Sequence, residues 1–271
     1  MHRSMYTNKI FCTGSVPAIN FLLAKHRAPC TVLRARGPSV SWRVQLQLEG
    51  LHKIKKSAVF SISKMYKLIC LDLDGTTLNS HHELSSETIT VLQTIASKSD
   101  AKISIVTGRS ALSSIKYAMQ LQLNKIQGDT YIICYNGSTC IKIDREYNGN
   151  NHSIIFSNPI SRANARLLVD ISLKLGLVLQ YYNVENGEMY AVPSKVEHYP
   201  LLNRYADLVG QKHTFLSNYD EVLAKCESPK ILIMTDDADG LIDYCHKYLT
   251  PNIFHIIRVR YIIPDNFLSR K

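Results

Sequence analysis

An apolar run, Leu-Ile-Cys-Leu at 68–71, leads without a break into Asp72-Leu73-Asp74-Gly75-Thr76-Thr77. Few folds accept such a stretch. A strand that is apolar throughout has to be covered on both faces, which is the condition of strands in parallel α/β sheets. Gly75 lets the backbone leave the strand in a tight turn. Residues two apart on a strand share a face, so Asp72 and Asp74 project together from its C-terminal end. In open α/β sheets that edge is where ligands bind.

The following sequence repeats the pattern. "SSETITVLQTIASKS" reads as a helix capped by Ser85 or Ser86, and "AKISIVTGRS" as a second buried strand. "SALSSIKYAMQLQL" reads as a helix capped by Ser110, and "DTYIICYNGS" as a third strand. Strands alternating with helices predict a Rossmann-like parallel sheet. After Tyr135 the character changes. "CIKIDREY" and "HSIIFSNPI" look like a hairpin. "SRANARLLVDISLKLGL" is an amphipathic helix, "LVLQYYN" and "EMYAV" are short strands, and "VEHYPLLNRYADLVG" is a helix. "PKILIMTD", "ADGLIDYCHKYL" and "IFHIIRVRYIIP" then read strand, helix, strand. Tyr181 and Tyr182 fall on one of the strands and are read as packing residues. The expected fold is α/β, a parallel core followed by a second α+β unit.

Charge separates off the beginning of the chain. The net charge is +10, and residues 1–66 hold 11 basic residues against Glu49 alone, while the remainder balances to zero. Nucleic-acid binding is therefore not expected of the folded part. Residues 1–64 read as a basic N-terminal extension, either an organellar transit peptide or a dispensable disordered tail, with Met65 a plausible start. "SWRVQLQLEG" alternates like a strand without an evident partner. A third reading, contact of this tail with nucleic acid or membrane, would show as salt-dependent binding. No apolar run reaches the ~18 residues of a membrane span. The seven cysteines are scattered, with no Cys-x-x-Cys pair, which argues against a disulfide framework or zinc site and for an intracellular protein, cytoplasmic or organellar.

Two carboxylates this close repel each other, so the turn calls for a compensating cation, and hard oxygen donors favour Mg²⁺. A carboxylate so placed can attack phosphorus, and its neighbour can serve as acid and base. The second strand ends in Thr107-Gly108-Arg109-Ser110, a hydroxyl and successive amides at a helix start, which suits phosphate. The third ends in Asn136-Gly137-Ser138. Three successive strand ends thus carry polar, phosphate-friendly loops. His81 and His82 follow the first motif and are read as solvated.

"LDLDGTTL" resembles the first motif of the haloacid dehalogenase superfamily. "SIVTGRS" matches its second motif in the form found in the Cof-type branch, and "YNGS" looks like that branch's turn before the cap. The resemblance covers roughly residues 66–264. It implies a core at 65–139, an inserted cap at 140–264, and a return to the core at 265–271. It further implies a Mg²⁺-dependent phosphatase of small phosphorylated metabolites, such as sugar phosphates, acting through an aspartyl-phosphate. By position, Asp72 would be nucleophile and metal ligand, and Asp74 the general acid/base with its carbonyl on the metal. Thr107 would hold the phosphoryl group with the Gly108 amide, and Arg109, Asn136 and Gly137 would line the substrate side.

The family also uses a lysine and a Gly-Asp strand end after the cap. "TDDADG" at 235–240 offers Asp236, Asp237 and Asp239, but within the cap pattern, and Lys230 lies too near it at a strand start to be the family lysine. The expected role of this segment is a strand end and helix cap. An alternative reading is therefore a truncated, catalytically inactive relative acting as a binding module, or an incomplete gene model. In that case the first strand would be an apolar sheet edge.

Overall fold

The computed structural model describes residues 7–14, 67–149, 152–235, 237–249 and 254–261. The described residues form two sheets. The first contains β2 (Leu68–Leu71), β3 (Lys102–Val106), β4 (Thr130–Cys134), β5 (Thr139–Ile143) and β6 (Ser153–Ser157), in that order across the sheet. β2, β3 and β4 are parallel, as the sequence led us to expect, and β4–β5–β6 continue antiparallel. Among the described residues three helices serve this sheet: α1 (Ser86–Lys98), α2 (Ala111–Gln120) and the short α3 (Leu123–Gln127).

Local chemistry explains where these elements start and stop. The Ser85 hydroxyl accepts from the Thr88 N–H, and that of Ser110 from the Ser113 N–H, so both expected caps are in place. On β3 the consecutive residues Ile103, Ser104 and Ile105 are all buried, so this strand is covered on both faces. β2 is the outer strand among the described residues, and Leu68 is 48% exposed. The hairpin of β5 and β6 extends the first sheet, so the change of sheet along the chain comes after Ser157.

The second sheet is six-stranded. α4 (Arg162–Lys174) precedes β7 (Val178–Tyr182) and β8 (Met189–Ala191). α5 (His198–Val209) precedes β9 (His213–Phe215), α6 (Tyr219–Lys225) precedes β10 (Ile231–Thr235), and α7 (Ala238–Tyr248) precedes β11 (Phe254–Tyr261). The remaining strand, β1 (Thr7–Gly14), comes from the basic segment and lies antiparallel between β10 and β11. The rest of that segment, including "SWRVQLQLEG", lies outside the described residues. The order is β11-β1-β10-β7-β8-β9.

β7, β8 and β10 are buried along their whole length, and their period-two alternation divides their side chains between two cores. Leu179, Tyr181, Ile231 and Ile233 face one cluster with Leu168 of α4, Val222 of α6 and Leu241 of α7. Val178, Tyr182, Leu232 and Met234 face the other, which they share with Leu73, Ile105 and Ile132 of the first sheet. The two sheets are thus joined through one continuous apolar body. Among the described residues no helix is long and apolar enough to cross a membrane.

Candidate active site

β2 ends at Leu71, and the chain turns at once through Leu73–Thr77, with extended backbone at Asp74 and left-handed backbone at Gly75. Leu71 and Leu73 are buried whereas Asp72 and Asp74 are exposed, so the alternation of the strand carries into the turn and places both carboxylates on the open side. Gly75 has φ +71°, the left-handed conformation that glycine takes without strain. The turn is closed by the Thr77 hydroxyl donating to the Asp72 carbonyl (2.5 Å) and by the Leu78 N–H donating to the Leu73 carbonyl (2.9 Å). The Asp72 carboxylate accepts from the Leu73 N–H at 2.8 Å.

The next two strand ends are clipped to one another. The Thr107 N–H donates to the Ile133 carbonyl (2.9 Å), the Tyr135 N–H to the Arg109 carbonyl (2.8 Å), and the Asn136 N–H to the Thr107 carbonyl (3.2 Å). Thr107 is 4% exposed, and its Oγ1 accepts from the Arg109 N–H at 3.3 Å. Asn136 has φ +59° and packs against Gly108 so closely that a Cβ there would lie 2.3 Å from Asn136 Oδ1. Asn136 Nδ2 is buried with no hydrogen-bond partner, a donor directed into this corner of the fold.

Arg109 ties the two loops together. Its Nε donates to Asp74 Oδ2 (2.7 Å) and its Nη2 to Asp74 Oδ1 (2.6 Å), a two-pronged contact across 35 residues of chain. Its Nη1 donates to the Tyr117 hydroxyl (3.1 Å), which donates to the His82 carbonyl (2.9 Å), and His82 Nδ1 lies 3.0 Å from Asp74 Oδ1. The ring is closed, and the Arg109 side chain is 8% exposed. Burial pushes the Asp74 carboxyl up, but Arg109 and His82 outweigh it and hold the group below its usual range. His82, expected to be solvated, is thus a partner of Asp74. The Asx turn at Asn79, whose side chain accepts from the N–H groups of His81 and Glu83, sets its backbone.

The second sheet also reaches this loop. Lys230, 2% exposed, donates from Nζ to the Gly108 carbonyl at 2.8 Å and lies over the Tyr182 ring, 5.6 Å from its centroid. The Ser110 hydroxyl donates to Gln211 Oε1 (3.2 Å). Sequence reasoning had set Lys230 aside. The signal that could have found it is its even-numbered register with Leu232 and Met234, the face turned to the first sheet. Tyr182 and Tyr181 are buried packing residues, the former bonded to the Tyr205 hydroxyl at 2.6 Å. Of "TDDADG", Asp237 caps α7 by accepting from the Gly240 N–H (2.9 Å), as expected, and Asp236 lies outside the described residues. Among the described residues no group of three or more His, Cys, Asp or Glu side chains could hold a metal.

Comparison with known proteins agrees with this architecture. A model of the haloacid dehalogenase-like hydrolases matches residues 69–266, and the chain belongs to that family. YxeH of Bacillus subtilis, named as a candidate phosphatase, is 28% identical over 170 residues, 63% of this chain and 58% of that protein. A Mycoplasma pneumoniae protein with a similar name is 34% identical over 82 residues, 30% of this chain and 29% of its own. The chain therefore spans less than two thirds of the length of these relatives. Among solved structures, a haloacid dehalogenase-like hydrolase from Bacteroides thetaiotaomicron superposes with TM-score 0.54 at 21% identity, covering 74% of this chain and 72% of the other. A Thermotoga maritima protein superposes with TM-score 0.53 at 18% identity, covering 75% and 73%. These likenesses establish the fold.

Proposed function

We propose that the chain hydrolyses a small phosphate monoester, with Asp72 as nucleophile and Asp74 as acid and base. The observation that carries this reading is the Arg109–Asp74 clamp, which joins the carboxylate turn after β2 to the Thr107–Arg109 loop after β3. The exposed Asp72 carboxylate attacks phosphorus and the ester oxygen leaves with a proton from Asp74, giving an aspartyl-phosphate. Water then attacks that phosphorus, its proton passing to Asp74. Thr107, the Gly108 amide and the buried Asn136 Nδ2 supply donors for phosphoryl oxygens. Gly137, in the same turn, lines the substrate side.

Asp74 can give a proton only when Arg109 releases it, since the guanidinium favours the carboxylate form. A substrate anion competing for that guanidinium is the natural trigger. The Asp72 carboxylate and the Asp74 carbonyl, both hard oxygen donors, would hold Mg²⁺. When bound, it would neutralise charge on the phosphoryl group. The second sheet acts as a cap in this reading, supported by the Lys230 and Gln211 contacts, and favours small substrates.

The test is turnover of a panel of phosphate monoesters with Mg²⁺ by the full chain and by Asp72→Asn. Wild-type turnover that Asp72→Asn abolishes supports the reading. Equal turnover by both, or turnover by neither, overturns it for this chain.

A further inference from the structure

Lys230 has entered so far only as a contact between the second sheet and the Gly108 loop. A lysine ammonium is seldom fully buried, because desolvation disfavours the charge unless acceptors compensate. Here the residue is 2% exposed, and its Nζ reaches across 122 positions of sequence to one backbone carbonyl in the loop read as phosphate-binding.

That carbonyl belongs to the Gly108–Arg109 peptide. A trans peptide is planar, and its C=O and N–H point in opposite directions. Pulling the Gly108 carbonyl toward the second sheet therefore turns the Arg109 N–H the other way, where it meets Thr107 Oγ1 at 3.3 Å. Glycine at 108 leaves this peptide without the restraint a Cβ would give, and the space a Cβ would fill is taken by Asn136. The orientation of the plane thus rests on its hydrogen bonds, and the strongest donor among those described is the ammonium. Lys230 is held from behind by the face of Tyr182, whose hydroxyl is fixed by Tyr205.

We propose that Lys230 is a positioning residue: from the second sheet it sets the Gly108–Arg109 peptide so that its N–H faces the Thr107 hydroxyl and an incoming phosphoryl group. The anion half of this rests on the function proposed above, whereas the orientation of the peptide does not.

The sequence offers a direct probe, since Gly-Arg occurs only at 108–109. Full-length protein labelled with ¹³C-carbonyl glycine and ¹⁵N-arginine gives one carbonyl–amide correlation, which is followed during titration with inorganic phosphate. Lys230→Met keeps the stem over Tyr182 and removes the donor, and Lys230→Arg restores charge and donor. The expected result is a displaced correlation in unliganded Lys230→Met, with phosphate affinity weakened about ten- to a hundredfold and both recovered toward wild type in Lys230→Arg. An unmoved correlation in folded Lys230→Met, or wild-type phosphate affinity, overturns the proposal. A wild-type correlation that ignores phosphate, yet is displaced by Lys230→Met, overturns the phosphate reading and the anion role while upholding the orientation.

Discussion

Gly108→Ala is the substitution whose cost the structure specifies most closely. The new Cβ would lie 2.3 Å from Asn136 Oδ1 and 3.4 Å from its Cγ, well inside contact distance for the first. Asn136 has little room to yield, because its N–H is bound to the Thr107 carbonyl and the preceding Tyr135 N–H to the Arg109 carbonyl. Overpacking of this kind costs about 1–3 kcal/mol. For a chain this size that lowers Tm by roughly 2–4 °C per kcal/mol. Asn136→Gly removes the obstructing amide, and at φ +59° glycine is at ease, so alone it should change stability by no more than about 1 kcal/mol. In the double variant the two changes should compensate. A double-mutant cycle by urea denaturation should therefore return a coupling of about 1–3 kcal/mol in favour of the pair. Additivity within about 0.5 kcal/mol would show that the Gly108–Asn136 contact does not govern this corner, and the reasoning would be refuted.

The Arg109–Asp74 clamp predicts a pH signature. Asp74 has a lowered folded-state pKa, so its contribution to stability is present above the unfolded value near 3.8 and is lost as pH falls through the lower folded value. Arg109→Met should thus be less stable than wild type at neutral pH, by about 1 kcal/mol or less because the Asp74 side chain is 44% exposed. The gap should close below the ordinary carboxylate range, and a pH-independent gap in urea midpoints would count against the clamp. Of the cysteines whose side chains are described, Cys70 is exposed and Cys134, Cys140, Cys226 and Cys245 are buried. Maleimide labelling of native protein followed by peptide mapping should tag Cys70 before those four, and early modification of any of them would contradict the packing.

Much of the first sheet was legible because local signals agree there. Apolar strands, serine caps and a glycine turn all specify the β2–β4 run, and Asp72 and Asp74 could be placed on one side from alternation alone. The ionic partner of Asp74 could not be read in this way. Arg109 and His82 meet it only once β2 and β3 pair and the Asn79 turn folds back, and spacing within a single element says nothing about that. The β5–β6 hairpin shows the same limit. Its period fixes which side chains share a face, but pairing with β4 is decided by an available strand edge. Lys230 was passed over because it sits at a strand start too near "TDDADG" to be the family lysine, and only the packing of Leu232 and Met234 against the first sheet reveals that its side of the strand is interior. Within residues 7–14, a short polar-flanked segment gave no pattern strong enough to announce β1.

The apolar body shared by the two sheets constrains how the molecule can breathe. Tyr182, Leu232 and Met234 lie in the same cluster as Leu73, Ile105 and Ile132, so swinging the sheets apart would expose the interior to water. Relative motion is the ordinary expectation for units that meet through a small polar contact, but not for units welded by a common hydrophobic interior. Traffic into and out of the proposed site is then a matter for the loops that carry it, such as the turn that brings His82 to Asp74. If the chain turns over a phosphate monoester as proposed, local loop excursions and not a hinge would pace it.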